Sequence, residues 1–414
     1  MNELALTNAR LVLDHGLVEG GLVVRDDRIA EVFSGGGKPA GFGNNEIDLA
    51  GAILAPGLID IHIHGTAGVN VQETDEAGLG RLSEYLVSEG VTGYFPTLVP
   101  AEETAYRATV RTIDGYLGAH PDRDSARILG IHWEGPFVSK HRCGALHKEL
   151  FRSYDRDERS IDLFIRTSAA GSNNQQASTG NRPRLVNLMT MAPEVDGGLE
   201  LIETLREGGL RVFIGHSVAG VETLDRAAAA GARHITHLPN ALDPIHHRKP
   251  GVVLWALGRD DVTVDSIPDF HHAHPLMLKL IHRAKGSGAM ALISDALPPA
   301  GLGDGEFEVW GDKILVRDGK ATVVRRDSDP SPAHTETLAG SVISVRQACK
   351  NMVSLGVPLH EAILMGSQVP ARVAGIQRDS GSIAAGKLAD LVVFDDDLKV
   401  KLVIYYGAVT LDAR

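Results

Sequence analysis

The middle of the chain alternates between short apolar runs and amphipathic segments, and this alternation is its most constraining feature. Eight apolar runs of strand length occur between residues 57 and 297. Segments with helical periodicity, such as 76–90, 197–209 and 219–231, lie between several of them. Near-continuous apolar strands joined by helical crossovers are typical of a buried parallel sheet. Eight such units favour an α/β fold with a closed (β/α)₈ TIM-like barrel. A doubly wound open sheet is the alternative, but no glycine-rich phosphate loop occurs in the strand–helix context that such a fold would use.

The two ends of the chain have a different texture. In residues 4–33 and 381–410, apolar and polar residues alternate in short runs that are separated by Gly and Asp, which is typical of antiparallel strands joined by turns. We expect the two ends to form one small β domain, because a chain that leaves and re-enters a domain pairs its ends there. The predicted organisation is residues 1–55 plus 375–414 for the small domain and residues 56–374 for the barrel.

Composition restricts the class of protein. The chain has 41 Lys and Arg against 53 Asp and Glu, a net charge of −12. This charge argues against nucleic-acid partners and an anionic membrane surface, but not against an anionic small substrate in a locally positive pocket. The two cysteines cannot build a disulfide framework. No signal peptide and no membrane span are predicted, so we expect a cytoplasmic protein.

One segment, residues 167–184, is polar, rich in Gly, Ser, Asn and Gln, and without periodicity. This composition predicts a long flexible loop between the third and fourth strand–helix units. On a barrel such a loop would be either a surface insertion or a mobile lid.

Ionisable residues recur where the predicted strands end. Six residues do so: His62, His64, Glu134, His216, His237 and Asp295. Taken alone, the His62–His64 pair fits either metal ligands or two polar residues where a strand meets solvent. Both side chains would lie on one face, because positions i and i+2 of a strand point the same way. Since barrel active sites form at the carboxyl ends of the strands, all six are expected to converge on one mouth.

These residue types suit a metal-dependent hydrolase. Imidazoles and a carboxylate bind zinc or iron and can leave a position open for water, and a carboxylate between two metals can bridge them. Metal binding lowers the pKa of water to about 7, which supplies hydroxide at neutral pH. Asp295, beside that water, could accept its proton and pass it to a leaving group.

Motifs along nearly the whole chain resemble the amidohydrolase superfamily and, within it, the N-acetylglucosamine-6-phosphate deacetylase family. In order they read APGLIDIHIHG, GVTGYFPTLVP, GIHWEGPF, TMAPE, GHSVA, THLPNAL, RKPG, ISDAL…AG, LAGS and GSIAAGKLADLVVFD. The resemblance implies a (β/α)₈ barrel with a small β-sandwich built from both termini. It also implies hydrolysis of the acetamide of N-acetylglucosamine 6-phosphate to glucosamine 6-phosphate and acetate, by attack of metal-bound hydroxide, and a homodimer.

The resemblance assigns roles to the chemistry-bearing residues. Glu134, His216 and His237 match the metal ligands shared across the family. His62 and His64 match the pair found in two-metal members, so a binuclear site bridged by Glu134 is expected. One or two divalent metals per chain are implied, with zinc expected first and iron, manganese or cobalt also suited to such ligands.

The resemblance also implies catalytic and substrate-binding roles. Asp295 matches the general acid/base, and His147 the histidine that polarises the acetyl carbonyl. Arg248 and His272 fall on the phosphate side. The full set of implied substrate-binding residues is Ala145, Asn240, Ala241, Arg248, His272, Leu338, Ala339 and Gly340.

Two departures from the family pattern lie on the substrate side. Phe270 replaces the Gly of an Asp-Gly-x-His motif that runs here from Asp269 to His272, and His147 lies one residue further from Glu134 than in the pattern. The alternatives are therefore an amidohydrolase of the same fold acting on another N-acyl amino sugar or a cyclic amide, or a non-catalytic relative. The complete ligand set together with an acid/base argues against the latter.

Overall fold

The computed structural model describes most of the chain. The described ranges are 3–35, 45–119, 125–155, 161–165, 185–324 and 337–414. The loop that the sequence predicts over residues 167–184 lies outside these ranges.

The strands fall into four groups along the chain. The first group is β1 (Glu3–Leu13), β2 (Gly16–Arg25), β3 (Arg28–Ser34), β4 (Glu46–Asp48) and β5 (Ile53–Pro56). The second is β6 (Leu58–Ile63), β7 (Gly65–Thr66), β8 (Val69–Asn70), β9 (Val91–Leu98), β10 (Arg127–Ile128), β11 (His132–Glu134), β12 (Leu188–Met191), β13 (Arg211–Ile214), β14 (His234–Ile235), β15 (Thr263–Ser266) and β16 (Met290–Leu292). The third is β17 (Gly305–Val309), β18 (Asp312–Arg317) and β19 (Lys320–Val323). The fourth is β20 (Leu391–Phe394), β21 (Val400–Tyr405) and β22 (Ala408–Asp412).

The helices lie mainly between the strands of the second group and after the third group. They are α1 (Glu76–Ser88), α2 (Glu103–Ala119), α3 (161–165), α4 (Gly198–Glu207), α5 (Val221–Ala229), α6 (Val252–Leu257), α7 (Pro275–Lys285), α8 (Val345–Ser354), α9 (Leu359–Met365) and α10 (Gln368–Ala374), with a 3₁₀ turn at Lys148–Leu150. None of the helices in the described ranges combines the length and the apolar character that crossing a lipid bilayer requires.

Parallel strands form the predicted barrel. Strand β6 pairs with β9, and β11 to β16 then follow in order. The third position is shared by β10 and β11, which both pair with β9. A parallel bridge between Ile63 and Ala296 joins the last position to the first. Strands β6 and β9 are buried along their whole length, as expected for strands of a parallel barrel that are covered on both faces. The expected (β/α)₈ barrel is confirmed.

Both chain ends contribute to one separate sheet, as the alternating texture of the ends predicts. Its order is β22-β21-β20-β5-β1-β2-β3, with β4 paired to β1. Most of its pairs are antiparallel, although β4 and β5 both run parallel to β1. Strand β5 therefore lies between an N-terminal and a C-terminal strand. Its Leu54 joins a core distinct from the main barrel core, whereas Ile53 and Ala55 belong to the main core.

A third, smaller sheet lies between β16 and α8. Strands β17, β18 and β19 form an antiparallel meander there. This insertion was not predicted from the sequence. It matters for the site, because barrel loops that follow strands lie at the mouth.

A buried ion pair joins the barrel to the terminal sheet. Arg127, in β10, places Nη2 3.1 Å from Oδ2 of Asp390, and the two side chains are 7% and 4% exposed. Its Nη1 donates to the hydroxyl of Tyr406 at 2.5 Å. Removing one partner of a buried pair leaves an uncompensated charge, which is far more costly than losing an exposed pair.

The Asp390→Asn variant should therefore be destabilised by about 3–5 kcal/mol. The matched control is Asp396→Asn, because Asp396 pairs with Arg10 but is 84% exposed; its loss should cost at most about 1 kcal/mol. Urea unfolding followed by circular dichroism measures both. Equal midpoints for the two variants would contradict the structural role of the buried pair.

Candidate metal centre and active site

The six residues singled out at strand ends lie together at the carboxyl end of the barrel. All are buried: His62, His64, Glu134, His216, His237 and Asp295. They form two groups of three in which the ligand-type atoms lie within 4.8 Å of one another. The structure thus brings together in space what the sequence separates by more than two hundred positions.

The first group is Glu134, His216 and His237. Oε1 of Glu134 lies 2.9 Å from Nε2 of His216 and 3.1 Å from Nε2 of His237. Backbone carbonyls hold the other ring nitrogens: Nδ1 of His216 donates to Arg142 at 2.8 Å, and Nδ1 of His237 to Asn240 at 3.2 Å. Because a carbonyl only accepts, each ring carries its proton on Nδ1 and presents the lone pair of Nε2 to the site.

The second group is His62, His64 and Asp295. Oδ1 of Asp295 lies 3.1 Å from Nε2 of His64 and 3.4 Å from Nε2 of His62. Nδ1 of His64 donates to the carbonyl of Thr97 at 3.1 Å. Glu134 is also within reach, since its Oε2 lies 3.4 Å from Nε2 of His64. Glu134 therefore lies between the two groups, in the position of a bridging carboxylate.

The donor set fits a divalent cation in each group. Nε2 of His216 and Nε2 of His237 are 3.1 Å apart, and the Nε2 atoms of His62 and His64 are 3.2 Å apart. Two nitrogen lone pairs at that separation repel unless a proton or a cation lies between them. Imidazole nitrogen with carboxylate oxygen is the ligand set of zinc and related first-row metals.

The electrostatics of the site favour positive charge. Burial alone would lower the pKa of His62, but the carboxylates of Glu134 and Asp295 raise it to about 9. Burial would raise the pKa of Asp295, but His62 and His64 hold it at about 2. The pKa of Glu134 is likewise well below its usual range, because the positive charge on His62 and the close approach of the neighbouring imidazoles outweigh burial. Both carboxylates are therefore ionised at neutral pH.

Three site residues have a left-handed backbone, which side chains other than glycine rarely adopt. His216, His237 and Asp295 have φ of 48°, 36° and 49°. Each such residue costs on the order of 1–3 kcal/mol and persists only where the surroundings enforce it. Here the backbone N–H of Asp295 donates to the carbonyl of His62 at 2.9 Å, and that of His237 donates to the carboxylate of Asp265. These bonds hold the strand ends, and with them the ligands, in one geometry.

A cavity of about 270 Å³ lies beside the two groups. Six of the expected substrate-binding residues line it: Ala145, Asn240, Ala241, His272, Leu338 and Gly340. Ala339 lies behind this wall and is 1% exposed. Residues that the sequence analysis missed complete the lining: Gly144, Leu146, Leu297, Trp310 and Thr337.

Besides Ala339, two of the expected residues lie outside the cavity wall that the described residues form. Arg248 is exposed, and its Nη1 lies 3.0 Å from Nε2 of His247. His147 has its Nε2 2.8 Å from Oδ2 of Asp312 on β18. Polarisation of an acetyl carbonyl by His147 stays a prediction, and it would require that hydrogen bond to be exchanged.

The Phe270 departure leaves the local turn intact. Phe270 has a φ of 69°, the left-handed conformation for which glycine is suited. Asp269 still accepts from the backbone N–H of His272 at 2.8 Å and pairs with its Nδ1 at 2.7 Å. The phenyl ring is exposed, so His272 reaches the cavity despite the substitution.

The paired geometry predicts close to two metals per chain after loading. Replacing His62 and His64 together with Asn should remove one metal and leave the other on Glu134, His216 and His237. Replacing the exposed histidines His246 and His247 with Asn is the matched control and should leave the metal count unchanged. Elemental analysis of desalted protein measures the stoichiometry. A single metal in the fully loaded, unmutated protein would contradict a two-metal site.

Comparisons with known proteins place the chain in a family. A family model described as "Amidohydrolase family" matches residues 313–410. The chain is 34% identical to the N-acetylglucosamine-6-phosphate deacetylase of Bacillus subtilis (strain 168), over 99% of this chain and 98% of that protein. It is 33% identical to an N-acetylgalactosamine-6-phosphate deacetylase of Escherichia coli O157:H7, over 86% of this chain and 87% of that protein.

Solved structures agree. The N-acetylglucosamine-6-phosphate deacetylase of Pasteurella multocida has a TM-score of 0.85 at 27% identity, covering 99% of both chains. An Asp-to-Ala variant of the Mycobacterium smegmatis enzyme, in complex with N-acetyl-D-glucosamine-6-phosphate, has a TM-score of 0.83 at 30% identity, covering 99% of this chain and 100% of that one. Full-length similarity at this level, on the same fold, shows common membership. This chain belongs to the N-acetylglucosamine-6-phosphate deacetylase family of the amidohydrolases.

Proposed function

We propose that this protein hydrolyses the acetamide of N-acetylglucosamine 6-phosphate, giving glucosamine 6-phosphate and acetate. The observation that carries the proposal is the pair of ligand groups sharing Glu134, with Asp295 beside them, at one side of a cavity of sugar size. The names of the relatives indicate which sugar is the substrate, and the arrangement of the site residues indicates the type of reaction.

The chain's own residues account for the proton transfers. A divalent metal held by these ligands would lower the pKa of water and polarise a carbonyl oxygen. Asp295 begins as a carboxylate, because its pKa is held at about 2, and this is the form that accepts the proton of the attacking water. As the C–N bond breaks, the same carboxyl group donates that proton to the departing amine nitrogen. The oxygen of the water is then in acetate, and the proton that Asp295 transferred is on the amine.

The cavity also offers groups for the sugar. Asn240 and Ala241 lie on the wall after β14, and His272 lies on the wall after β15. The phosphate would lie toward His272, and Arg248 would bind it. Arg248 is exposed in a single chain, which supports the prediction that it serves a site completed in a homodimer. Zinc is the metal we propose, and a cytoplasmic location stays a prediction.

N-acetylgalactosamine 6-phosphate is the second candidate substrate. The similarity to the Escherichia coli O157:H7 protein named for it favours this alternative specifically. The two sugars differ only in the configuration at C4, so the same residues would perform the same hydrolysis. Comparing kcat/KM for both phosphorylated sugars distinguishes the candidates.

The Asp295→Asn variant should lose at least about 10²-fold in kcat, because Asn can neither accept nor donate the transferred proton. The metal on Glu134, His216 and His237 should remain, which elemental analysis checks. The exposed Asp304, replaced with Asn, is the control and should turn over normally. Near-normal turnover by the Asp295 variant would remove it from the acid/base role.

The Arg248→Ala variant tests the phosphate. A guanidinium–phosphate pair contributes roughly 1.5–3 kcal/mol of binding, so KM for N-acetylglucosamine 6-phosphate should rise by about 10- to 150-fold with a smaller change in kcat. The unphosphorylated sugar should be barely affected, and Lys249→Ala should change neither. An equal effect on both sugars, or on neither, would refute phosphate binding by Arg248 and favour another N-acyl substrate.

A further inference from the structure

The cavity beside the metal groups has a polar side and an apolar side. The proposed function assigns no role to the apolar side. Asn240 and His272 follow the sixth and seventh strands of the barrel, β14 and β15. On the opposite side of the ring, after β9 and β11, lies an apolar cluster of Val99, Val138, Leu146 and Phe151, with Cys143 and Trp310 packed against it. Leu146 and Trp310 also line the cavity.

Trp310 brings this apolar side into contact with one of the metal-ligand histidines. Its ring lies edge-on to the imidazole of His64, with the ring centroids 5.0 Å apart and an interplanar angle of 87°. Its Nε1 is buried and finds no hydrogen-bond partner among the residues that the structure describes. An unsatisfied buried donor costs free energy, so the indole lies here at a cost to stability.

The turn that carries Trp310 also disfavours a tryptophan. Val309 pairs with Asp312, so Trp310 and Gly311 alone connect β17 to β18. Both have a positive φ, 54° and 81°, which in two-residue hairpin turns favours Asn, Asp or Gly. A bulky residue at such a position breaks a local rule, and such exceptions concentrate at functional sites.

The hairpin is fastened to the neighbouring loop. Asp312, the first residue of β18, accepts a hydrogen bond from Nε2 of His147 at 2.8 Å. This contact links the segment after β11, which contains Leu146, to the hairpin that contains Trp310. The apolar side of the cavity is therefore a connected wall made of two loops.

We propose that Trp310 and its apolar neighbours form the acyl pocket and restrict the substrate to a short N-acyl group. The inference rests on the proposed function. With the phosphate toward His272 and the scissile carbonyl at the metal groups, the acyl chain continues toward the opposite wall. A methyl group fits against the indole there, and each added methylene meets the ring next to His64.

The Trp310→Gly variant tests this pocket without disturbing the hairpin, because glycine is at ease at a φ of 54°. The assay compares kcat/KM for the N-acetyl, N-propionyl and N-butyryl derivatives of glucosamine 6-phosphate. We expect the unmutated enzyme to favour acetyl and the variant to raise the butyryl-to-acetyl ratio by at least about tenfold, the effect of a methylene in an apolar pocket. Trp310→Phe, which keeps a ring, should stay near the original ratio.

The control is Phe307→Ala, since Phe307 lies on the same hairpin and, like Trp310, packs against the cluster around Leu297 and Ala339, but does not line the cavity. It should leave the acyl ratio unchanged. Melting temperature and metal content verify that each variant is folded and loaded. Should the glycine variant fail these checks, Trp310→Leu replaces it, with a smaller shift expected in the same direction.

The outcomes separate the two proposals. An unmutated enzyme that hydrolyses no N-acetyl amino sugar phosphate would overturn the proposed function. Normal deacetylation combined with an unchanged acyl ratio in the folded Trp310 variants would overturn the acyl pocket and leave the proposed function standing.

Discussion

Glu134 lies between two pairs of imidazoles whose Nε2 atoms face one another at about 3 Å, and the surrounding architecture holds these atoms in place. Buried charges and unsatisfied nitrogens are costly unless each finds an opposite charge or a cation. The barrel meets this cost with backbone carbonyls that fix the ring tautomers of His64, His216 and His237. Hydrogen bonds from the backbone N–H groups of His237 and Asp295 hold two of the strand ends. The protein thus holds the ligand atoms around spaces that suit a cation.

The residues of this frame could be predicted from the sequence, because their position follows from topology alone. Parallel strands bring their carboxyl ends to one edge, so a His, Glu or Asp that closes an apolar run must lie there whatever its neighbours are. The eight-unit barrel and the pairing of the two chain ends were accessible for the same reason: each rests on periodicity, which is a local property.

The substrate side could not be predicted as well, because it depends on loop conformation. Nothing in the segment 305–323 indicates that a hairpin turn would bring Trp310 against His64. The spacing that relates His147 to Glu134 does not reveal its bond to Asp312. Phe270 departs from a glycine motif, yet keeps the backbone conformation of that glycine and the contact of Asp269 with His272. Such contacts join segments distant in sequence, and no single window of residues contains both partners.

The terminal sheet has a consequence for the order in which the chain can fold. Strand β5 pairs on one side with β1 and on the other with β20. During synthesis, β1 to β5 leave the ribosome long before β20 exists, and the whole barrel is made in between. The edge of β5 therefore stays unpaired, and open to pairing with a wrong strand, until β20 has been synthesised. Loss of β20 to β22 would therefore expose the edge of β5, near the other end of the sequence. Strand β5 leads directly into β6, which carries the first metal ligand, His62.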